Sequence, residues 1–409
     1  MDMLDKLLAQ PPSADRFAKA MELLEGLPEG EREEAVTRAQ NALASWPDTA
    51  RAAPATSWRR LQQGMAPPFW WSLVRHVQLV EGDALDVGPA LAPLTSINAS
   101  QVNVEVSPLH EAHELRALDL TANEAIESLD FLTQTPRMEQ LVLSAMELLP
   151  DLSPLRELPA LHSLDLTFNP TLEDLSPLAS LKSLRRLDLS GNERLKDFGP
   201  LATLANLEAL VLDDCVGLSN LAFLEDLPKL RRLSARRLPL LKDLRPLASS
   251  GLQVLFLGGP KLSDGQPLAS LSSLTQLALT GVPGLKDLSF LQQLQRLRVL
   301  HLSELSTALP ELKAAAMEEL FISHCPKVRD LKALEELPAL RELTLEDLPV
   351  QDLAPLARVS TLERIILNRC PQVRDLAPLA QLPLRQVVLI APAPTLDTSP
   401  LPPGCVVTR

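Results

Sequence analysis

From Leu115 onward the chain repeats one spacing, L-x-x-L-x-L, in a common register. Leu115/Leu118/Leu120 recurs as Met138/Leu141/Leu143, Leu161/Leu164/Leu166, Leu184/Leu187/Leu189, Leu207/Leu210/Leu212, Leu230/Leu233/Ala235, Leu252/Leu255/Leu257 and Leu274/Leu277/Leu279. It continues through Leu297/Leu300/Leu302, Met317/Leu320/Ile322, Leu340/Leu343/Leu345, Leu362/Ile365/Leu367 and Leu384/Val387/Leu389, and weaker copies are expected at Val74/Val77/Leu79 and Ala99/Val102/Val104. Most copies start about 22 to 23 residues apart, inside the ~20–29-residue window of a stacked repeat. So short a unit cannot bury its own apolar face and must stack on its neighbours. The prior of two or three domains with separate compact cores, which 409 residues would otherwise suggest, therefore does not apply to the repeated part.

Each unit reads as two halves. The first is a short strand in which residues two apart, such as Leu118 and Leu120, point to the same side and enter the core. The second carries a different phrase, seen as Asp151-Leu-Ser-Pro154-Leu155, Asp174-Leu-Ser-Pro177-Leu178, Asp243-Leu-Arg-Pro246-Leu247, Asp352-Leu-Ala-Pro355-Leu356 and Asp375-Leu-Ala-Pro378-Leu379. Aspartate there caps a short helix or turn, and proline suits a first turn that needs no amide donor. Because these aspartates recur once per unit instead of converging, they are read as architecture and not as catalytic or metal-binding carboxylates. Between the halves, Asn123, Asn169, Asn192, Cys215, Cys325 and Cys370 occupy a slot whose side chain can satisfy turn backbone groups. Three of the four cysteines are thereby structural; Cys405 falls in a terminal segment that reads as a closing strand or a free thiol. Met146, Leu238, Val282, Leu305 and Leu348 depart from the slot pattern and predict looser or differently packed turns.

These columns resemble the short-repeat leucine-rich proteins of the bacterial internalin type and of the protein-phosphatase regulatory-subunit type. The resemblance covers about four fifths of the chain, from the region of Val74 to Asp397-Thr-Ser-Pro400-Leu401. It implies an α/β solenoid, a leucine-rich repeat horseshoe with a parallel concave sheet and short convex helices or turns. For function it implies only the binding of a macromolecule, since such solenoids serve many partners.

The region before about Pro68 lacks the repeat and reads as a small helical cap, with a start signal at Ser13, apolar spacing through Phe17, Met21 and Leu24, and a second helix from about Gly30 to Ser45. The expected division is a cap at 1–68, the solenoid at 69–392 and a closing segment at 393–409. All four tryptophans, Trp46, Trp58, Trp70 and Trp71, lie in or just after the cap, where they would cover the open end of the stack. A sharper alternative makes Phe69, Trp70 and Trp71 a partner-docking patch. Acidic residues in Met1-Asp2-Met3-Leu4-Asp5-Lys6 stand where a secretory signal would carry bases, and no stretch is long enough to span a bilayer. The expectation is a cytoplasmic protein, and the Ala, Leu, Arg and Pro bias points to a bacterial origin.

The net charge of -13 argues against a general nucleic-acid or anionic-membrane binder. His110 and His113 would share a helix face if their loop were helical, but they do not form the H-E-x-x-H zinc pattern. No catalytic constellation, metal site or cofactor signature emerges, so the chain reads as non-catalytic. Function is left to the concave face, whose central outward column runs Asp119, Val142, Asp165, Asp188, Val211, Ser234, Phe256, Ala278, His301, Phe321, Thr344, Ile366 and Val388. Arg186, Arg232 and Arg236, with Asp188 and Asp213, predict a mixed-charge patch. Phe256, His301 and Phe321 predict an apolar contact strip. The preferred reading is a scaffold or adaptor binding a protein partner; the alternative is a regulatory subunit of an enzyme such as a phosphatase or small GTPase. The unit between His301 and Met317 is short and lacks the Asp-x-x-Pro phrase.

Overall fold

The computed structural model describes residues 3–392 and 396–408. Met1 and Asp2 of the acidic leader, and residues 393–395 and 409 of the expected closing segment, lie outside them. The chain forms two compact units, residues 1–188 and 189–409.

The first unit opens with helices α1 (Met3–Leu8), α2 (Ala14–Glu25), α3 (Glu29–Ala42) and α4 (Ala55–Gln62). Ser13 caps α2, its hydroxyl accepting from the Arg16 amide at 3.3 Å, and Phe17, Met21 and Leu24 are buried on one side as their spacing requires. Six parallel strands follow: β1 (His76–Gln78), β2 (Ser96–Asn98), β3 (Ala117–Asp119), β4 (Gln140–Val142), β5 (Ser163–Asp165) and β6 (Arg186–Asp188). The helical segment joins them by backbone pairing. Ala52 bridges His76, and the amides of Arg75 and His76 both donate to the Arg51 carbonyl. The buried Arg51 guanidinium donates to the Leu73 carbonyl at 3.0 Å; burial first, then the charge of Arg75, pull its pKa down to about 10 against the opposing Asp48.

Trp70 and Trp71 are 1 % and 4 % exposed, which overturns the docking-patch alternative. Trp71 stacks on Trp58 at 6.4 Å, contacts Trp70 at 6.1 Å and donates its indole N–H to the Ala90 carbonyl. Rings of this size bury the most apolar area per residue, which is what the uncovered end of a repeat stack needs. Only Phe69 stays partly exposed, with the Arg32 guanidinium 4.9 Å from its ring centre.

A second correction concerns register. The weak copy expected at Ala99/Val102/Val104 is centred instead on Ile97, with Leu94, Ile97 and Ala99 as its three buried positions. Ala99 fills the last strand slot, as Ala235 does later, and Val102 takes the turn slot. A small residue weakened the periodic signal without moving the strand.

The second unit continues the pattern with β7 (Ala209–Val211), β8 (Arg232–Ala235), β9 (Val254–Gly258), β10 (Gln276–Thr280), β11 (Val299–Ser303), β12 (Glu319–Ser323), β13 (Glu342–Glu346), β14 (Arg364–Asn368), β15 (Gln386–Ile390) and β16 (Val406–Thr408). All pair in parallel with their chain neighbours. Cys405 directly precedes β16, so the closing-strand reading of that segment holds. The returning half of most units is a 3-10 helix of three to five residues, such as Ser153–Glu157 and Ala354–Arg358. The recurring aspartates lead into these helices. The Asp151, Asp174, Asp243, Asp352 and Asp375 carboxylates each accept from the amide two residues on, between 2.7 and 3.1 Å.

The slot residues behave as their chemistry demands. Asn169 donates to the Leu143 and Leu166 carbonyls at 2.8 and 2.9 Å and accepts from the Met146 amide at 3.0 Å. Cys215 and Cys370 point their thiols at the Leu189 and Leu345 carbonyls of the preceding repeat. Where Met146, Leu238, Val282, Leu305 and Leu348 stand in the slot they are buried as well, so those turns are packed through side-chain volume and are not loose. Between β11 and β12 the 3-10 helix is missing, yet the five-residue ladder from Val299↔Glu319 to Ser303↔Ser323 is intact. Leu312 and Ala314 fill the shortened return, and the Leu312 amide donates to the Ala333 carbonyl.

Candidate functional site

Inward leucines fix the outward residues. In β9, Leu255 and Leu257 are fully buried, so Val254, Phe256 and Gly258 must lie on the other side of the pleat. Register then places Phe256 beside Ala278, Ala278 beside His301, His301 beside Phe321, Phe321 beside Thr344 and Thr344 beside Ile366. The expected outward column is therefore real within each unit, with two refinements: Ser234 and Ala278 are 7 % and 8 % exposed and offer little surface.

The rings of the outward column make two contacts. His301 and Phe321 touch with ring centres 5.4 Å apart at a 50° tilt, and the Arg236 guanidinium stands 5.8 Å from the Phe256 ring centre. Phe256 and Phe321 are half-buried by their strand neighbours, whereas His301 is exposed. Although His301 is exposed as a residue, the packed residues around it withhold enough water to hold its pKa below the ordinary histidine value, and the charge of Glu319 offsets this only in part. An NMR titration of His301 is expected to give a midpoint below that of an unstructured histidine, and Phe321→Ser, by readmitting water, to raise it. A midpoint unmoved by that substitution would rule out desolvation as the cause. The linked stability follows in sign: above the unfolded pKa both states are neutral, and as pH falls toward the folded pKa the unfolded state takes the proton first and stability declines.

The mixed-charge patch divides. Arg186 and Asp188 lie on β6 of the first unit, while Arg232, Arg236 and Asp213 belong to the second. Asp213 is 4 % exposed and is not a surface charge. Its carboxylate accepts from the Ser234 hydroxyl at 2.6 Å, the Arg236 amide at 2.9 Å and the Arg236 guanidinium at 2.7 Å. A carboxylate this buried requires such pairing, so Arg236 anchors its own turn. Arg232 remains exposed on the strand face.

A feature that sequence reasoning missed lies just past the strands. The residue two beyond the last inward position of the strand has left-handed backbone in most units, including Asp214 (φ 59°), Arg237 (φ 55°), Gly281 (φ 62°), Glu304 (φ 57°), His324 (φ 52°), Asp347 (φ 49°) and Arg369 (φ 48°). Such a conformation disfavours side chains other than glycine. Charged residues here pair with the next unit: Arg237 with Asp214, His324 with Asp347 at 2.8 Å, and Arg369 with Asp347 at 2.5 Å. The Arg237 and Arg369 guanidiniums hold the Asp214 and Asp347 carboxyls below the usual range. The signal was present in sequence as opposite charges one repeat apart, outside the leucine columns.

A family model described as leucine rich repeats, two copies, matches residues 159–203. No curated protein matches the chain by sequence. Among solved structures, a leucine-rich repeat protein from Leptospira interrogans is 20 % identical, with a TM-score of 0.62 over 85 % of this chain and 94 % of that one. An internalin from Listeria monocytogenes, InlF, is 21 % identical, with a TM-score of 0.51 over 87 % of this chain and 94 % of that one. The fold is the leucine-rich repeat solenoid. Leucine-rich repeat domains typically bind proteins. Among the described residues no group of three His, Cys, Asp or Glu is placed to hold a metal ion, and no helix is long and apolar enough to cross a membrane.

Proposed function

We propose that this leucine-rich repeat protein is a non-catalytic scaffold or adaptor that recognises a protein partner on its strand face. Phe256, His301 and Phe321 form the contact strip of the second unit, Arg232 supplies an exposed charge beside it, and Arg186 and Asp188 are the corresponding charges of the first unit. One observation supports this reading above the others: large rings stand partly open to water on strands whose inward neighbours Leu255, Leu300 and Leu320 are buried. A rigid support lowers the ordering entropy of binding, and removing such rings from water is worth about 25 cal/mol per Å².

The test is affinity capture from the producing cell with the wild-type chain and with a Phe256→Ser/Phe321→Ser variant. Capture of a defined partner by the wild type, reduced at least about tenfold in the variant, is the expected outcome, since two aromatic anchors each contribute on the order of 1–2 kcal/mol or more. Both side chains are outward and the inward leucines are unchanged, so the circular dichroism of the variant should match the wild type, with only a modest fall in melting temperature. Equal capture by the two proteins would refute this assignment.

A further inference from the structure

Beside the strip, the rim of the second unit has a notch. Two consecutive repeats place glycine where most others place a side chain: Gly259 follows β9 and Gly281 follows β10. The opening, about 550 Å³, is lined by Val216, Pro239 and Pro260, with Arg236 and Arg237 on one wall and Glu304 on the other. That volume falls within the range of small-ligand pockets and exceeds a single side chain, so it admits a short stretch of chain.

Charge decides what fits. Arg236 is bound by Asp213 and Arg237 by Asp214, so the basic wall is already neutralised. Glu304 differs from the other charged residues of the left-handed column. Among the described residues its carboxylate has no hydrogen bond or ion pair, while the next residue in the column, His324, is held by Asp347. The Glu304 carboxylate instead leans over the glycine floor, where a Cβ built on Gly281 would lie 3.5 Å from Oε2. The notch therefore holds one uncompensated negative charge above a proline-rich apolar floor.

We infer that this notch receives an arginine-bearing extended segment of the partner protein, whose guanidinium pairs with Glu304 while its aliphatic stem lies against Pro239 and Pro260. A planar fork matches a carboxylate in two hydrogen bonds, which an ammonium does not, and the stem of arginine covers apolar surface. The inference rests on the protein-binding reading and assigns the partner a basic contact beside its apolar one.

The experiment uses the full chain, labelled with 15N, and the capped peptide acetyl-Ala-Ala-Arg-Ala-Ala-amide. The expected result is saturable shifts of the Gly259, Thr280 and Gly281 amides, with Glu304→Gln weakening the peptide about three- to fivefold, the loss expected when an ion pair at an exposed carboxylate is removed. Gly281→Asn, which tolerates left-handed backbone and fills the floor, should abolish the shifts while leaving the rest of the spectrum in place. The same peptide with glutamate in place of arginine should not bind. Shifts located elsewhere, unchanged affinity in Glu304→Gln, preference for the glutamate peptide, or equal shifts with spermidine would each overturn the inference. Because the peptide assay needs no partner, and the Phe256→Ser/Phe321→Ser variant should retain the peptide shifts, failure here is distinguishable from failure of the strand-face assignment.

Discussion

Asn169→Ala is expected to destabilise the first unit by about 3–5 kcal/mol, because it removes three buried hydrogen bonds to backbone groups at once. The side chain is fully buried, donates to the Leu143 and Leu166 carbonyls and accepts from the Met146 amide. Each unsatisfied buried polar group costs about 1–3 kcal/mol, and water has no route to replace the amide. Two of these partners, Leu143 and Met146, belong to the preceding repeat, so the bond is a staple between neighbours. In a repeat stack such losses are felt locally. The measurement is native-state hydrogen exchange: the Met146 amide should lose protection in the variant, alongside a lower urea midpoint. A change under about 1 kcal/mol would mean that the slot is filled by shape and not by hydrogen bonding.

The second large effect is expected on the returning side of the second unit. Most of the Asp phrases there carry leucine after the aspartate, as in Leu244 and Leu288, but Gly265 stands in that position next to Asp264. Phe290 takes the missing volume. A Cβ built on Gly265 would lie 2.5 and 2.7 Å from two of its ring carbons, and the ring is 1 % exposed. Phe290→Ala should therefore cost about 3–5 kcal/mol, with little collapse to soften it, since a glycine opposite has no side chain to move into the hole. Gly265→Leu alone should cost about 1–3 kcal/mol by overpacking. Phe290→Pro with Gly265→Leu, which restores the leucine and proline of the neighbouring phrases, should be clearly less destabilised than the sum of its single changes in denaturant melts. Additivity would show that the two positions do not share one space.

How far each of these features is legible in sequence depends on the range of the interaction. Asn169 is readable, because its slot recurs at Asn123, Asn192, Cys215, Cys325 and Cys370 and the turn chemistry is local. The exchange of volume between Gly265 and Phe290 is not, since it joins different columns of adjacent repeats. Nor is the placement of the strand at Ile97, where Ala99 supplies too little hydrophobic signal to mark the register. The tryptophans had two readings in sequence, and only their burial against one another and Ala90 chose the cap.

The repeating columns by themselves determined the stacked parallel strands, their inward leucines, the aspartate-led turns and the outward position of Phe256, His301 and Phe321. These follow from alternation along a strand and from a unit too small to fold alone. Tertiary structure alone decided which outward charges remain available to a partner. Asp213 looks like a surface charge in sequence and proves to be a buried anchor for Arg236, whereas Glu304, in no distinguishing sequence context, is the carboxylate left over a glycine floor. The physical reason is that a charge is consumed or left available by the side-chain geometry of the neighbouring repeat, and spacing along one strand does not specify that geometry.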